Sequence, residues 1–141
     1  MRALIVDDCT TIRLILRNAL AKAGFPEVVE ATNGVEALIW ATDPRVKLIL
    51  MDWHMPEMNG LEAVKALRAA GNKTPIIMVT TEGEKKHVIE VLLAGANDYL
   101  LKPFTPDELA AKVKKHVQFD GVSAGAPGQA ATQEPSLQAR R

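Results

Sequence analysis

The chain has 141 residues, 48% apolar and 24% charged, which suits one globular domain burying roughly two-thirds of its unfolded surface. Lys plus Arg and Asp plus Glu number 17 each, so no net field exists to grip a nucleic acid or an anionic membrane. The single cysteine, Cys9, excludes an internal disulfide or a thiolate zinc site, and no apolar run approaches the ~20 residues of a membrane span. The first apolar stretch is also too short for a signal peptide, so a cytoplasmic protein is expected.

Along the chain, short apolar runs alternate with helical stripes. The runs Ala3 to Val6, Val46 to Met51, Pro75 to Val79 and Tyr99 to Leu101 read as buried strands, and the more polar Glu27 to Ala31 as an edge strand. Between them, Ile12, Leu16, Ala19, Leu20 and Ala23 mark a first helix ended by Gly24. Val35, Leu38 and Ile39 mark a second, Leu61, Val64, Leu67 and Arg68 a third closing at Gly71, and Val88, Val91 and Leu92 a fourth stopping at Gly95. Leu109, Val113 and Val117 mark the last, and Thr105-Pro106-Asp107-Glu108 supplies its N-cap, first-turn proline and reciprocal glutamate. Asn33 with Glu36 and Thr81 with Glu84 repeat the reciprocal capping pattern. Five strands alternating with five helices predict an α/β, doubly wound parallel sheet covered on both faces. The folded domain is expected over residues 1–119; residues 120–141, rich in Gly, Ala, Pro, Ser and Gln, read as a flexible tail.

The strand ends carry the chemistry. The first strand stops at Asp7-Asp8, the third at Asp52, the fourth at Thr80 and the fifth at Lys102. In a parallel sheet these are carboxyl ends on one edge, where open α/β sheets bind ligands. A capping role would explain any one aspartate but not an acid trio, an exposed threonine and a lysine converging. Like charges ~4 Å apart cost about 4 kcal/mol per pair at an effective dielectric of ~20, so a cation is expected. All-oxygen ligands suit Mg²⁺, with Mn²⁺ tolerated. Asp8 and Asp52 are the expected direct ligands, with Asp7 acting directly or through water. The Lys102 ammonium, the Thr80 hydroxyl and the cation match the three equatorial oxygens of a transferring phosphoryl group, leaving Asp52 as the nucleophile.

This constellation resembles the receiver domain of two-component response regulators, and most closely the stand-alone CheY-like type. The resemblance is carried by Val6-Asp7-Asp8, Met51-Asp52-Trp53-His54-Met55-Pro56, Asn59-Gly60, Val79-Thr80-Thr81, Gly95-Ala96 and Asp98-Tyr99-Leu100-Leu101-Lys102-Pro103-Phe104, and spans about residues 1–118. It implies a single-domain (βα)5 flavodoxin-like fold with a five-stranded sheet in order 2-1-3-4-5. It implies that Asp52 takes a phosphoryl group from a histidine kinase, and that Asp7, Asp8, Asp52 and the backbone carbonyl of His54 hold Mg²⁺. Thr80 and Lys102 would bind the phosphoryl group, Tyr99 would follow the threonine, and Lys102–Pro103 would be a cis peptide. The face of the fourth helix, fifth strand and fifth helix would then be read by a downstream protein, in chemotaxis or motility. His54 and Glu82 occupy the positions that tune phosphoryl lifetime. The chain would be a monomer or a weak phosphorylation-dependent dimer, and no enzyme beyond its own phosphorylation and dephosphorylation.

Other residues carry plainer expectations. Cys9 reads as a small buried residue, and Trp40, Met55 and Met58 as packing. His87 and His116 read as helix-surface residues, and Trp53 as a fluorescent reporter of the metal. Rival readings are a haloacid-dehalogenase-like small-molecule phosphatase, whose motif separates its two aspartates by one residue, a flavin module, whose phosphate Asp7-Asp8 would repel, a receiver-fold scaffold that is not phosphorylated, and an intermediate phosphocarrier in a phosphorelay.

Overall fold

The computed structural model describes residues 1–117; the expected tail lies outside them. The elements follow as β1 (Arg2–Val6), α1 (Thr10–Lys22), β2 (Glu27–Ala31), α2 (Gly34–Trp40), β3 (Val46–Met51), α3 (Gly60–Ala69), β4 (Ile76–Thr80), α4 (Lys85–Ala94), β5 (Asp98–Leu101) and α5 (Pro106–His116). All strand pairs are parallel, in order β2-β1-β3-β4-β5, as the resemblance implies.

The period-2 alternation of a strand sends successive side chains to opposite faces, and here each face has its own core. Leu4, Val6, Ile49, Met51, Ile76 and Met78 pack with Ala37, Ala63, Val64, Leu67 and Val91 of α2, α3 and α4. Ala3, Ile5, Leu48, Leu50, Ile77 and Val79 pack with Leu16, Leu20, Leu109 and Val113 of α1 and α5. The pairing of β1 with β3 shifts between Arg2 and Ala3, so the register skips Lys47, which reaches solvent from an otherwise buried strand.

Capping chemistry sets the helix starts that face the strand ends. Thr105 and Glu108 form the expected capping box, and Asn59 and Glu62 form another that the sequence reading passed over. Asn33 accepts from the Glu36 N–H, but Glu36 reaches back to Thr32 rather than to its cap. The expected Thr81–Glu84 pair does not cap α4. Glu84 is itself the N-cap residue, and the helix starts three residues later than that pairing requires.

Burial corrects several sequence expectations. Cys9 is exposed, because it serves as the N-cap residue of α1 at the rim of the sheet. Trp40 is exposed at the end of α2, whose buried residues are Gly34 and Ala37, and Val35 and Ile39 also face outward. Leu92 is likewise exposed on α4, which buries Val91. His116 is no free surface residue: its Nε2 lies 2.8 Å from the Asp98 carboxylate, which also accepts from Lys112 Nζ at 2.8 Å.

Candidate functional site

Four strand ends and the loops after them meet at the carboxyl edge of the sheet. Asp7 and Asp8 follow β1, Asp52 follows β3, Thr80 ends β4, and Lys102 follows β5. Carboxylate oxygens of Asp7, Asp8 and Asp52 lie within 4.8 Å of one another. Lys102 Nζ donates to Asp7 Oδ2 at 2.7 Å and to Asp52 Oδ2 at 3.3 Å. The sequence thus brought its acid trio and its lysine to one place. Lys102–Pro103 is cis, also as expected.

Thr80 departs from expectation, being fully buried where an exposed hydroxyl was foreseen. It is the last residue of a strand that is buried along its whole length. Its Oγ1 accepts from the Glu82 N–H at 3.1 Å, and the hydroxyl lies near enough to Asp52 to draw its carboxyl down.

Backbone donors hold the acids in place. Asp7 Oδ1 accepts from the Cys9 N–H at 2.8 Å, closing a turn before α1, and Asp52 Oδ1 accepts from the Trp53 N–H at 2.7 Å. The loop after Asp52 is pinned by the Gly60 N–H to the Trp53 carbonyl at 2.8 Å and by the Gly34 N–H to the Met58 carbonyl at 3.0 Å. The carbonyl of His54, beside them, accepts no hydrogen bond among the described residues.

Charge and burial compete at this edge. Burial pushes the Asp52 carboxyl above its ordinary value and the charge of Asp7 adds to this, while Lys102, the Thr80 hydroxyl and the Trp53 N–H pull the other way. Burial would lower the Lys102 ammonium, but its hydrogen bond to Asp7 and the charge of Asp52 raise it instead. Lys102 therefore stays charged across the physiological range. Three carboxylates against one ammonium leave the cluster short of positive charge, and its donors are all oxygen. That donor set fits a hard divalent cation.

Around the rim stand residues that the sequence reading underrated. Arg13 of α1 donates to the Asp7 carbonyl at 2.7 Å and to Glu30 at 2.8 Å, and Arg17 joins the same glutamate at 2.6 Å. Burial would raise the Glu30 carboxyl, yet hydrogen bonds from Arg17 and Arg13 hold it below its ordinary value. His87, expected on the helix surface, lies half-buried with Nδ1 2.7 Å from Glu82 Oε2 and its ring 5.5 Å from that of Trp53. His54 stands in solvent, and its Nε2 meets Glu82 Oε1 at 3.1 Å. Tyr99, on β5, donates its hydroxyl to the Glu82 carbonyl, and burial pushes that phenol up to about 12. A helical spacing that puts Arg13 on the site side of α1 is the one sequence signal that could have found it; nothing in the sequence links Glu82 to His87.

Comparison with known proteins agrees with this geometry. Residues 3–114 match the family model of the response regulator receiver domain. The chemotaxis protein CheY homolog of Campylobacter jejuni is 50% identical over 117 residues, covering 81% of this chain and 90% of the relative. CheY1 of Helicobacter pylori is 47% identical over 119 residues, covering 81% of this chain and 94% of that protein. Among solved structures, chemotaxis protein CheY4 of Vibrio cholerae superposes with a TM-score of 0.75 at 38% identity, covering 82% of this chain and 98% of that one. The receiver domain of the Francisella response regulator 1452 gives 0.75 at 32% identity, covering 81% and 93%. The chain is a response regulator of two-component signalling and belongs to the receiver-domain family, in its CheY-like form.

Proposed function

We propose that this protein is a phosphorylation switch in which Asp52 accepts a phosphoryl group from the phosphohistidine of a kinase. The observation that carries this reading is a buried carboxylate held between an ammonium and a hydroxyl, with two further acids beside it. Asp7, Asp8, Asp52 and the His54 carbonyl would hold Mg²⁺, with Mn²⁺ tolerated, and the ion would supply positive charge to the phosphoryl oxygens.

Chemically, an oxygen of the Asp52 carboxylate attacks phosphorus, the phosphorus–nitrogen bond of the donor breaks, and its electron pair returns to the imidazole, which takes a proton from solvent. Lys102 lies within hydrogen-bond reach of Asp52 and can follow the charge onto the phosphoryl group. Thr80 supplies a second donor from the neighbouring strand end. Its hydroxyl is bonded to the amide of Glu82, whose carbonyl receives Tyr99, so a shift of Thr80 is felt at β5 within two residues. The face of α4, β5 and α5 is thereby biased between two arrangements, and a downstream protein reads the result.

His54 and Glu82 flank the acyl phosphate and set its lifetime by governing the approach of water. The chain turns over no other substrate. It works in the cytoplasm, in a chemotaxis-type pathway like that named for its relatives. Among the described residues no helix is long and apolar enough to cross a membrane.

A small phosphodonor with Mg²⁺ should label the chain once, and Asp52→Ala should abolish labelling. Wild-type labelling of Asp52→Ala would overturn the assignment, and sustained hydrolysis of small phosphate esters would favour a phosphatase instead.

A further inference from the structure

Beside the acid pocket, on the β4–α4 loop and the first turn of α4, stands a second cluster of ligand-type side chains that the phosphoryl chemistry does not use as a unit. Ligand atoms of Glu82, Glu84 and His87 lie within 4.8 Å of one another. His87 Nδ1 is 2.7 Å from Glu82 Oε2 and 3.4 Å from Glu84 Oε1. His54 enters from the β3–α3 loop, with Nε2 3.1 Å from Glu82 Oε1.

We infer that Glu82, Glu84 and His87 form a second metal site, with His54 on the other oxygen of Glu82, and that it is selective for a borderline transition ion such as Zn²⁺ over Mg²⁺. The donor set decides the class: an imidazole nitrogen with two carboxylates suits zinc, whereas magnesium takes oxygen ligands and the neighbouring aspartates. Spacing agrees. Zinc bonds of about 2.0–2.2 Å in a tetrahedron put neighbouring donors about 3.3–3.6 Å apart, and the 2.7 and 3.4 Å from His87 Nδ1 to the two carboxylates need adjustments of tenths of an ångström.

The elements also supply what such a site needs around it. Glu82 is largely buried, with 16% of its side chain exposed, and is oriented by both histidines, so the central ligand is already placed. His87 is packed 5.5 Å from the Trp53 ring, which limits its rotamers. The more exposed His54 and Glu84 leave one side open for the ion to enter and for a water ligand. On binding, any proton held between an imidazole and Glu82 leaves to solvent.

The consequence is regulatory. An ion here would tie the loop after Thr80 to the first turn of α4 and fix the Glu82 carboxylate, whose other oxygen meets His54; these two residues are the ones assigned to phosphoryl lifetime. The same ion would hold Glu82, whose carbonyl receives Tyr99.

The test is zinc titration of the full chain by calorimetry in saturating Mg²⁺, in four forms: wild type, His87→Ala, Glu84→Gln, and an Asp8→Asn, Asp52→Asn double variant that removes the acid pocket. One zinc site should survive in the double variant. Its affinity should fall in His87→Ala by about 10–100-fold or more, since even an outer-shell partner is worth that much. Glu84→Gln, which keeps the size of the side chain, should weaken binding in the same direction. A zinc affinity unchanged by His87→Ala and Glu84→Gln overturns the inference, as does loss of all zinc binding in the double variant. Because that variant cannot be phosphorylated on Asp52, the zinc result stands apart from the fate of the phosphoryl switch.

Discussion

Gly60, the first residue of α3, offers a sharp test of how tightly the site is built. A Cβ placed there would lie 2.2 Å from the Asp52 carbonyl oxygen and 3.0 Å from both its carbonyl carbon and Met78 Cε. Ordinary contact begins at 3.4 Å, so the start of α3 must retreat by 3.4 − 2.2 = 1.2 Å relative to a rigid strand end. Overpacking of that kind costs about 1–3 kcal/mol, and lengthening the Gly60 N–H bond to Trp53 adds about 1 kcal/mol. Replacing glycine in a helix returns about 0.5–1 kcal/mol, which is too little to compensate. Gly60→Ala should therefore lose about 1–3 kcal/mol in urea unfolding. Mg²⁺ affinity, followed by Trp53 emission in a Trp40→Phe background, should fall too, because ligand geometry tolerates only ~0.5 Å of displacement. Gly71→Ala is the control. Its φ of +84° imposes strain of about 1 kcal/mol, but nothing lies within 4 Å of its Cβ, and it sits past the far end of α3. It should lower stability and leave Mg²⁺ binding alone. A Gly60→Ala protein as stable as wild type, with undiminished Mg²⁺ binding, would refute the packing argument.

Lys102→Ala removes the ammonium that pairs with the fully buried Asp7, and metal-free stability should drop by about 3 kcal/mol, a deficit that Mg²⁺ shrinks. The same variant should still take up phosphate but bind partners poorly; a pull-down with the beryllofluoride-activated form that recovers partners as well as wild type would contradict this. Asp98 is held down to about 2, against burial, by hydrogen bonds from Lys112 and His116. Its folded value lies below the ordinary 3.8, so its contribution is present above that value and is lost as pH falls towards about 2. Discounted for partners that stand partly in solvent, it is worth about 1 kcal/mol. Thermal melts of Asp98→Asn should show that deficit near pH 7 and none by about pH 2, and equal deficits at both would refute the link.

Much of this site was legible because it is written at strand ends. A buried parallel strand is a short apolar run, and the polar residue that stops it falls on one known edge of the sheet, so Asp7, Asp8, Asp52, Thr80 and Lys102 could be gathered without coordinates. The order of the strands came from the resemblance, since alternation alone does not choose it. What stayed hidden depends on burial and loops. Thr80 is buried with the rest of β4, and Cys9 is exposed because the Asp7 turn delivers it to a helix start. Residue spacing carries no signal for the meeting of His54 with Glu82, which are 28 positions apart. The Thr81–Glu84 expectation failed because a reciprocal capping pattern fixes neither which residue ends the loop nor where the helix takes hold.

Glu82 divides its labour between main chain and side chain. Its amide faces Thr80 and its carbonyl faces Tyr99, while its carboxylate is engaged with two histidines elsewhere. On the proposed reading, transmission would use main-chain atoms of Glu82 that any residue but proline keeps, and timing would use side-chain atoms that substitution can change. Evolution can thus reset the clock of such a device, residue by residue, without cutting the wire.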